Sequence, residues 1–477
     1  MKRIRQARWP VLLAALVALK FGLLLVDGKP SIFMGDSGSY LYTALHDYIP
    51  HDRSFAFGYL LRALAVWPHS LRFFLFAQGA MSAITAWLIA VILTRVFSVR
   101  FRWAALLSFL CALEPLQLLS ERYIMTDTVA LFLFAALVTV SVAFCRHCTA
   151  LRLACALVLG VALISIRMSY LAIVLLNSAL LPLIWFLRSA PRRNIRAWAL
   201  LIFWICAGQL MFYGYRCLNA YVSDMAKPEY LYADGFILVS EVSPILQLSD
   251  FPPDLPGRRI LARVGPSLRN PMDREGQIFS PNGLTWVLRR EIPDEYRANQ
   301  MARRIALHAI LAHPGALLEL AFSTWEEFFN SYLFQGALAY DEGGLRNGEE
   351  NFRAEILKSL GTDLGAQSSR DPIARWHRAA IPWYWFLVTA PFAVPLVFLI
   401  AWRRMDAAAA LVHGYLLLLS AQVILLSTHS EPRYLMSVAW LTLISIGWLS
   451  RNFHKRPPLQ GSLRDLQVVQ ADVVESP

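Results

Sequence analysis

The sequence predicts an all-α polytopic membrane protein, with about ten transmembrane helices and a mixed, loop-rich module on the non-cytoplasmic side. Three observations predict it. Of 477 residues, 57% are hydrophobic and only 16% are charged, where a soluble domain carries about 25% charged residues. Apolar runs of roughly 17–25 residues recur along the chain, enough to cross a hydrocarbon core about 30 Å thick. Basic clusters flank successive runs on alternate sides, as the positive-inside rule requires.

The runs fall near residues 9–26, 71–93, 103–119, 128–144, 151–166, 171–187, 198–218, 383–402, 407–426 and 435–449. A cytoplasmic N-terminus puts Lys2, Arg3, Arg5 and Arg8 on one side of the membrane. Arg95, Arg100, Arg102, Arg146 and Arg152 then fall on that same side. So do Arg188, Arg192, Arg193, Arg196, Arg403, Arg404, Arg451, Lys455 and Arg456. An even number of spans returns the C-terminus to the cytoplasm. The first run has no small-residue cleavage site and is expected to stay as a span.

The net charge of +12 is largely this orientation signal. Residues 219–382 hold 17 Lys/Arg against 21 Asp/Glu, so the rest of the chain carries +16. The cations are scattered over loop ends instead of lining a groove, so no nucleic-acid partner is expected. The six cysteines (Cys111, Cys145, Cys148, Cys155, Cys206, Cys217) all lie outside 219–382 and imply no disulfide framework. Cys145-Arg146-His147-Cys148 has the spacing of half a zinc site. No second ligand pair follows, so no metal site is assigned.

The chain divides into an N-terminal membrane domain (1–218), the non-cytoplasmic module (219–382), C-terminal membrane helices (383–450) and a polar tail (451–477) expected to be disordered. In the first outer loop, 27–70, the apolar stretch 55–67 reads as a helix lying in the membrane interface. Within the module, 241–282 is rich in Pro and Gly and reads as irregular loops. The stretch 294–330 reads as helical, broken at His313-Pro314-Gly315. The run 316–322 is too short to cross and reads as a docked helix.

The charges at the outer membrane edge are Asp36, Glu121, Arg122, Asp127, Arg167, Glu431 and Arg433. Such groups are costly beside lipid and mark the place to look for function. Asp36 lies between Gly35 and Gly38, near Tyr40 and Tyr42. It reads either as a general base or as the N-cap of a helix starting near Ser39. Asp47 and Asp52 are weaker candidates, close to Pro50 and His51. Glu114-Pro115 through Glu121-Arg122 to Thr126-Asp127 joins two runs, and Thr126-Asp127 reads either as a helix cap or as part of a site. Arg167 stands between two apolar runs. It must snorkel or pair with an anion, and phosphate suits a guanidinium, unless the stretch is a plain connection. Ser427 to Tyr434 is a short polar turn in which His429 and Arg433 could meet a lipid head group, or Tyr434 could anchor the interface.

Together these turns resemble the polyprenyl-phosphate-sugar-dependent glycosyltransferases of the C-type (GT-C) fold, a group that includes protein O-mannosyltransferases and the aminoarabinose transferase of lipid A. The resemblance rests on Asp36 followed by Tyr40, and on Pro115 through Ser120-Glu121-Arg122 to Thr126-Asp127. His313-Pro314 and Glu431-Pro432-Arg433-Tyr434 complete it. It implies that Asp36 activates the acceptor and that Arg122, Arg167 and Arg433 hold the lipid phosphate. It makes Tyr40, Glu121, Asp127, His429 and Glu431 candidates for the sugar and acceptor site. Ser37 follows Asp36 where the family often has a second acid, so the resemblance leaves open both a divalent metal and that acid's contact with the acceptor.

The donor implied is a sugar on a polyprenyl phosphate such as undecaprenyl phosphate. The acceptor is a glycan, lipid or protein. The expected setting is a bacterial inner membrane with a periplasmic site, or the equivalent lumenal face of the endoplasmic reticulum. A transporter or flippase of a lipid-linked sugar is the rival reading. It calls for midplane charges, paired broken spans and inverted repeats, and the sequence has none of these clearly.

Overall fold

A computed structural model describes residues 2–50, 52–188, 195–225, 227–341, 350–362, 371–401, 405–427 and 430–454. The chain begins with α1 (Lys2–Val26), α2 (Met34–His46), α3 (Phe55–Leu61, running on to Val66), α4 (Leu71–Val91, running on to Val96) and α5 (Phe101–Ala112). It continues through α6 (Pro115–Ser120), α7 (Asp127–Arg146), α8 (Ala150–Ile166), α9 (Leu171–Arg188) and α10 (Ile195–Val222). The module holds α11 (Asp234–Glu241), α12 (Gly257–Val264), α13 (Arg274–Phe279), α14 (Leu284–Glu291), α15 (Glu295–Ala312), α16 (Pro314–Glu327), α17 (Ser331–Asp341), α18 (Glu350–Leu360) and α19 (Pro372–Ala379). After it come α20 (Ile381–Ala401), α21 (Ala407–Leu425) and α22 (Met436–His454).

Among the described residues, seven helices are long and apolar enough to cross a membrane: Ala7–Val26, Leu71–Val96, Asp127–Arg146, Met168–Arg188, Ile195–Val222, Ile381–Leu399 and Ala407–Leu425. The chain is a multi-pass, all-helical membrane protein. The remaining three expected runs look different. The run 103–119 is broken, because α5 ends at Ala112 and α6 starts afresh at Pro115. A proline forces its predecessor out of the helical region, and Glu114 is extended (φ −61°, ψ 125°). The run 151–166 is α8, whose 17 residues end where Arg167 turns extended. The last is α22, with Val438, Ala439, Trp440 and Leu441 fully buried at the heart of the bundle.

The module is not the loop-rich segment its composition suggests. Residues 241–282 form α12, α13 and single 3-10 turns at Ser243–Ile245, Leu248–Asp250, Gly265–Arg269 and Pro271–Asp273. Pro244, Pro266 and Pro271 each open such a turn, where the missing N–H breaks no helical hydrogen bond. Phe236, Val239, Leu246, Ile260, Leu288 and Ile305 gather in an apolar core of the module's own. Pro314 starts α16 at 97° to α15, and α16 docks on α21. The stretch 55–67 is helical, as α3 and its continuation. Among the described residues there is no strand, only an isolated parallel bridge between Ser31 and Tyr123.

His51, Arg192, Arg193, Arg403, Arg404, His429, Lys455, Arg456 and the tail beyond His454 lie outside the described residues.

Candidate functional site

The loop after α1 is stitched to the α6–α7 turn. Ser31 N–H donates to the Arg122 carbonyl at 2.7 Å, and Ile124 N–H donates to the Ser31 carbonyl at 3.1 Å. This fixes Phe33, where α2 begins. The Ser37 hydroxyl accepts from Phe33 N–H at 2.8 Å. The helix thus starts at Met34 instead of near Ser39, and Asp36 lies inside its first turn instead of capping it. A carboxylate there is favoured by the helix dipole.

Asp36 forms an ion pair with Arg53, and its second oxygen lies 4.0 Å from Arg433. Arg53 also reaches Asp52 at 3.1 Å. Burial opposes the Arg53 charge, but Asp36 and Asp52 hold the guanidinium above its ordinary value. Its Nε is buried with no hydrogen-bond partner among the described residues. Arg433 grips Glu431 at 2.6 Å and lies over the Phe33 ring at 3.9 Å. Arg167 pairs with Asp127 at 2.5 Å, touches Ser169 Oγ at 3.2 Å, and lies 5.7 Å from the Tyr434 ring. Thr126 makes no side-chain cap on α7; its hydroxyl accepts from Arg167 at 3.4 Å instead. Arg167 Nη2 makes no hydrogen bond to a described residue.

All of these groups but Asp52 and Thr126 line one cavity of about 750 Å³, within the size range of small-molecule sites. Asp36, Arg53, Asp127, Arg167, Glu431 and Arg433 give it a charged side. Leu419 and Val423 of α21, with Leu426 just past its end, give it an apolar one, with Gln422 among them. Ile237, Glu241, Glu275 and Phe279 come from the module. A second cavity, of about 150 Å³, shares Asp36, Arg53, Arg167, Arg433 and Tyr434, and adds Tyr40, Asp52, Ser54, Tyr215 and Tyr230. Tyr40 lines only this smaller one, stacked edge-on against Phe57 at 4.8 Å. Burial pushes its phenol up to about 12, so it stays protonated.

Several sequence candidates do not join the larger cavity. Glu121 turns inward to a fully buried ion pair with Lys20 at 2.5 Å. Arg122 is fully buried and donates to the carbonyls of Asp27 at 2.6 Å, Leu23 at 3.2 Å and Leu118. A helix end leaves its last carbonyls without intrahelical partners. Arg122 thus ties the α6–α7 turn to the end of α1, and it does not line the cavity where a phosphate would bind. His429 lies outside the described residues. Asp47 pairs with Arg62 at 2.5 Å, away from the cavity.

Sequence reading missed Arg53, Glu241, Glu275 and Gln422. Arg53 carried one usable signal, a cation beside Asp52 on the face that the positive-inside rule tends to deplete. The module residues carried none, because only the fold brings them over the membrane edge.

Each arginine of the cavity is matched by a carboxylate, and each guanidinium has five N–H donors. The cavity thus sets guanidinium N–H donors beside carboxylates. Among the described residues, no three His, Cys, Asp or Glu side chains gather closely enough to hold a metal ion. Comparison with protein-family models, curated proteins and solved structures finds no match.

Proposed function

We propose that this chain is an integral-membrane glycosyltransferase of the C-type fold. It moves a hexosyl or pentosyl group from a polyprenyl phosphate to an acceptor on the periplasmic or lumenal side, with inversion. The observation that carries the reading is the meeting of Asp36, Arg53, Arg167 and Arg433 on the charged side of one cavity whose opposite wall, from α21, is apolar. A lipid phosphate needs both, an apolar path for its tail and guanidinium groups for its head.

In this reading the acceptor hydroxyl loses its proton to the Asp36 carboxylate as its oxygen attacks the anomeric carbon. The bond from that carbon to the phosphate oxygen breaks. The electron pair leaves with the lipid phosphate, and Arg167 and Arg433 stabilise the added negative charge. Arg53 holds Asp36 in place. The topology that goes with it has about ten spans, α5–α6, α8 and α22 supplying the crossings beyond the seven, and both termini in the cytoplasm. The expected setting is a bacterial inner membrane.

The test is transfer of labelled hexose or pentose from undecaprenyl phosphate donors by protein in detergent, with no sealed compartment. Transfer by the wild type is expected, with Asp36→Asn lowering turnover by about 10²–10⁴-fold while still binding undecaprenyl phosphate. A protein that moves the lipid-linked sugar across vesicles, yet transfers nothing in detergent, is the transporter of the rival reading. Near-normal turnover in Asp36→Asn removes Asp36 as the base.

A further inference from the structure

The cavity holds a titratable group that this chemistry leaves unused. Glu241 ends α11 and lines the cavity together with Asp36, Arg167 and Arg433. It is half-buried, and among the described residues it makes no hydrogen bond and no ion pair. The membrane-edge carboxylates differ: Asp36, Asp127 and Glu431 are each held by an arginine.

The helices packed on α11 bring few charges to Glu241. From α15, Arg303 is spent on Asp234 at the far end of α11, at 2.5 Å. From α14, Arg289 lies over the Phe236 ring at 4.5 Å. From α13, Glu275 lines the same cavity, and the buried Arg274 is the charge whose field reaches Glu241. That guanidinium is drawn off to Thr324 Oγ1 at 3.0 Å and towards Glu327 of α16 at 3.8 Å. Burial pushes the Glu241 carboxyl up to about 8, with Arg274 holding it back from rising further. At neutral pH it is mostly a neutral acid, offering one O–H donor and a carbonyl acceptor. Such a group suits an uncharged hydroxyl and gives no counter-charge to an amine. Ile278 and the exposed Phe279 provide apolar surface in the same cavity.

We infer that Glu241 positions the acceptor, hydrogen-bonding an uncharged hydroxyl from the module's part of the cavity. The inference rests on the transferase reading above and names the acceptor class, a neutral hydroxyl-bearing compound.

The experiment offers neutral and amino-substituted p-nitrophenyl glycosides as acceptors, with labelled undecaprenyl phosphate hexose as donor. It uses wild-type protein, Glu241→Gln and Glu241→Ala. The wild type is expected to prefer the neutral glycosides and to show an acceptor KM that rises above about pH 8. Glu241→Gln, which keeps a donor and an acceptor at every pH, is expected to hold a low KM across that range. Glu241→Ala is expected to raise acceptor KM about tenfold with kcat and undecaprenyl phosphate binding nearly unchanged. An unchanged acceptor KM in Glu241→Ala, an alkaline rise that persists in Glu241→Gln, or a Glu241-dependent preference for amino glycosides overturns the inference and leaves the transferase reading standing. Absence of transfer by the wild type overturns that reading itself.

Discussion

At the scale of single residues, the cavity is built from matched pairs, Arg53 with Asp36, Arg167 with Asp127 and Arg433 with Glu431. Pairing is what makes three guanidinium groups tolerable at a membrane edge, because a buried cation without a partner is strongly destabilising. It also presents the planar fork of each arginine in a fixed orientation. Arg167 is the one whose Nη2 makes no hydrogen bond to a described residue. Arg167→Lys keeps the charge and loses the fork, so undecaprenyl phosphate affinity is expected to fall about tenfold. A titration of the phosphate by tryptophan fluorescence checks this, and unchanged affinity would take Arg167 out of the phosphate site. The five cavity charges legible in the sequence (Asp36, Asp127, Arg167, Glu431 and Arg433) were legible for a physical reason: ionised groups next to apolar runs are rare. Glu121 and Arg122 gave the same signal for a different cause. Lys20 and Leu23 of α1, which hold them, lie about a hundred residues away, and no local pattern says which way a charged side chain in a turn will face.

At the scale of helices, the α6–α7 turn is a pin between α1 and α4. Gln78 of α4 donates to the carbonyls of Glu121 at 3.2 Å and Tyr123 at 2.9 Å, while Lys20 and Arg122 tie the turn to α1. Lys20 and Glu121 have no exposed side-chain surface, and Glu121 Oε2 has no hydrogen-bond partner among the described residues. Removing the ammonium leaves a carboxylate alone in the bundle. Lys20→Ala is expected to cost about 3–5 kcal/mol of stability, and Lys20→Met with Glu121→Gln to recover most of it. Thermal unfolding in detergent measures both; a Lys20→Ala protein as stable as the wild type would mean the pair is not the pin. Helix starts and stops were partly readable. The Pro314 break was plain, whereas Pro115 divided a run that hydropathy alone joins. In 241–282, prolines that suggest loops instead open short helical turns, because only position within the turn separates the two outcomes.

At the scale of the whole molecule, the cavity exists because the module is held over the ends of the spans. Glu327 of α16 accepts from Ser430 N–H at 3.2 Å, beside Glu431, and Trp385 Nε1 of α20 donates to the Phe328 carbonyl at 2.7 Å. Spans and module each had a sequence signature, in hydropathy and in charge. Their docking had none, so Glu241 and Glu275 became visible as site residues only in three dimensions. The central claim is that the arginine–carboxylate cluster is a lipid-phosphate site. Its most direct measurement is an electron cryo-microscopy map of the protein in lipid nanodiscs with added undecaprenyl phosphate. The account predicts phosphate density within hydrogen-bond reach, about 3 Å, of Arg167 and Arg433, with the tail leaving along Leu419 and Val423 of α21 and Leu426 beyond it. Phosphate density bound elsewhere on the protein, with that cavity empty, would contradict it.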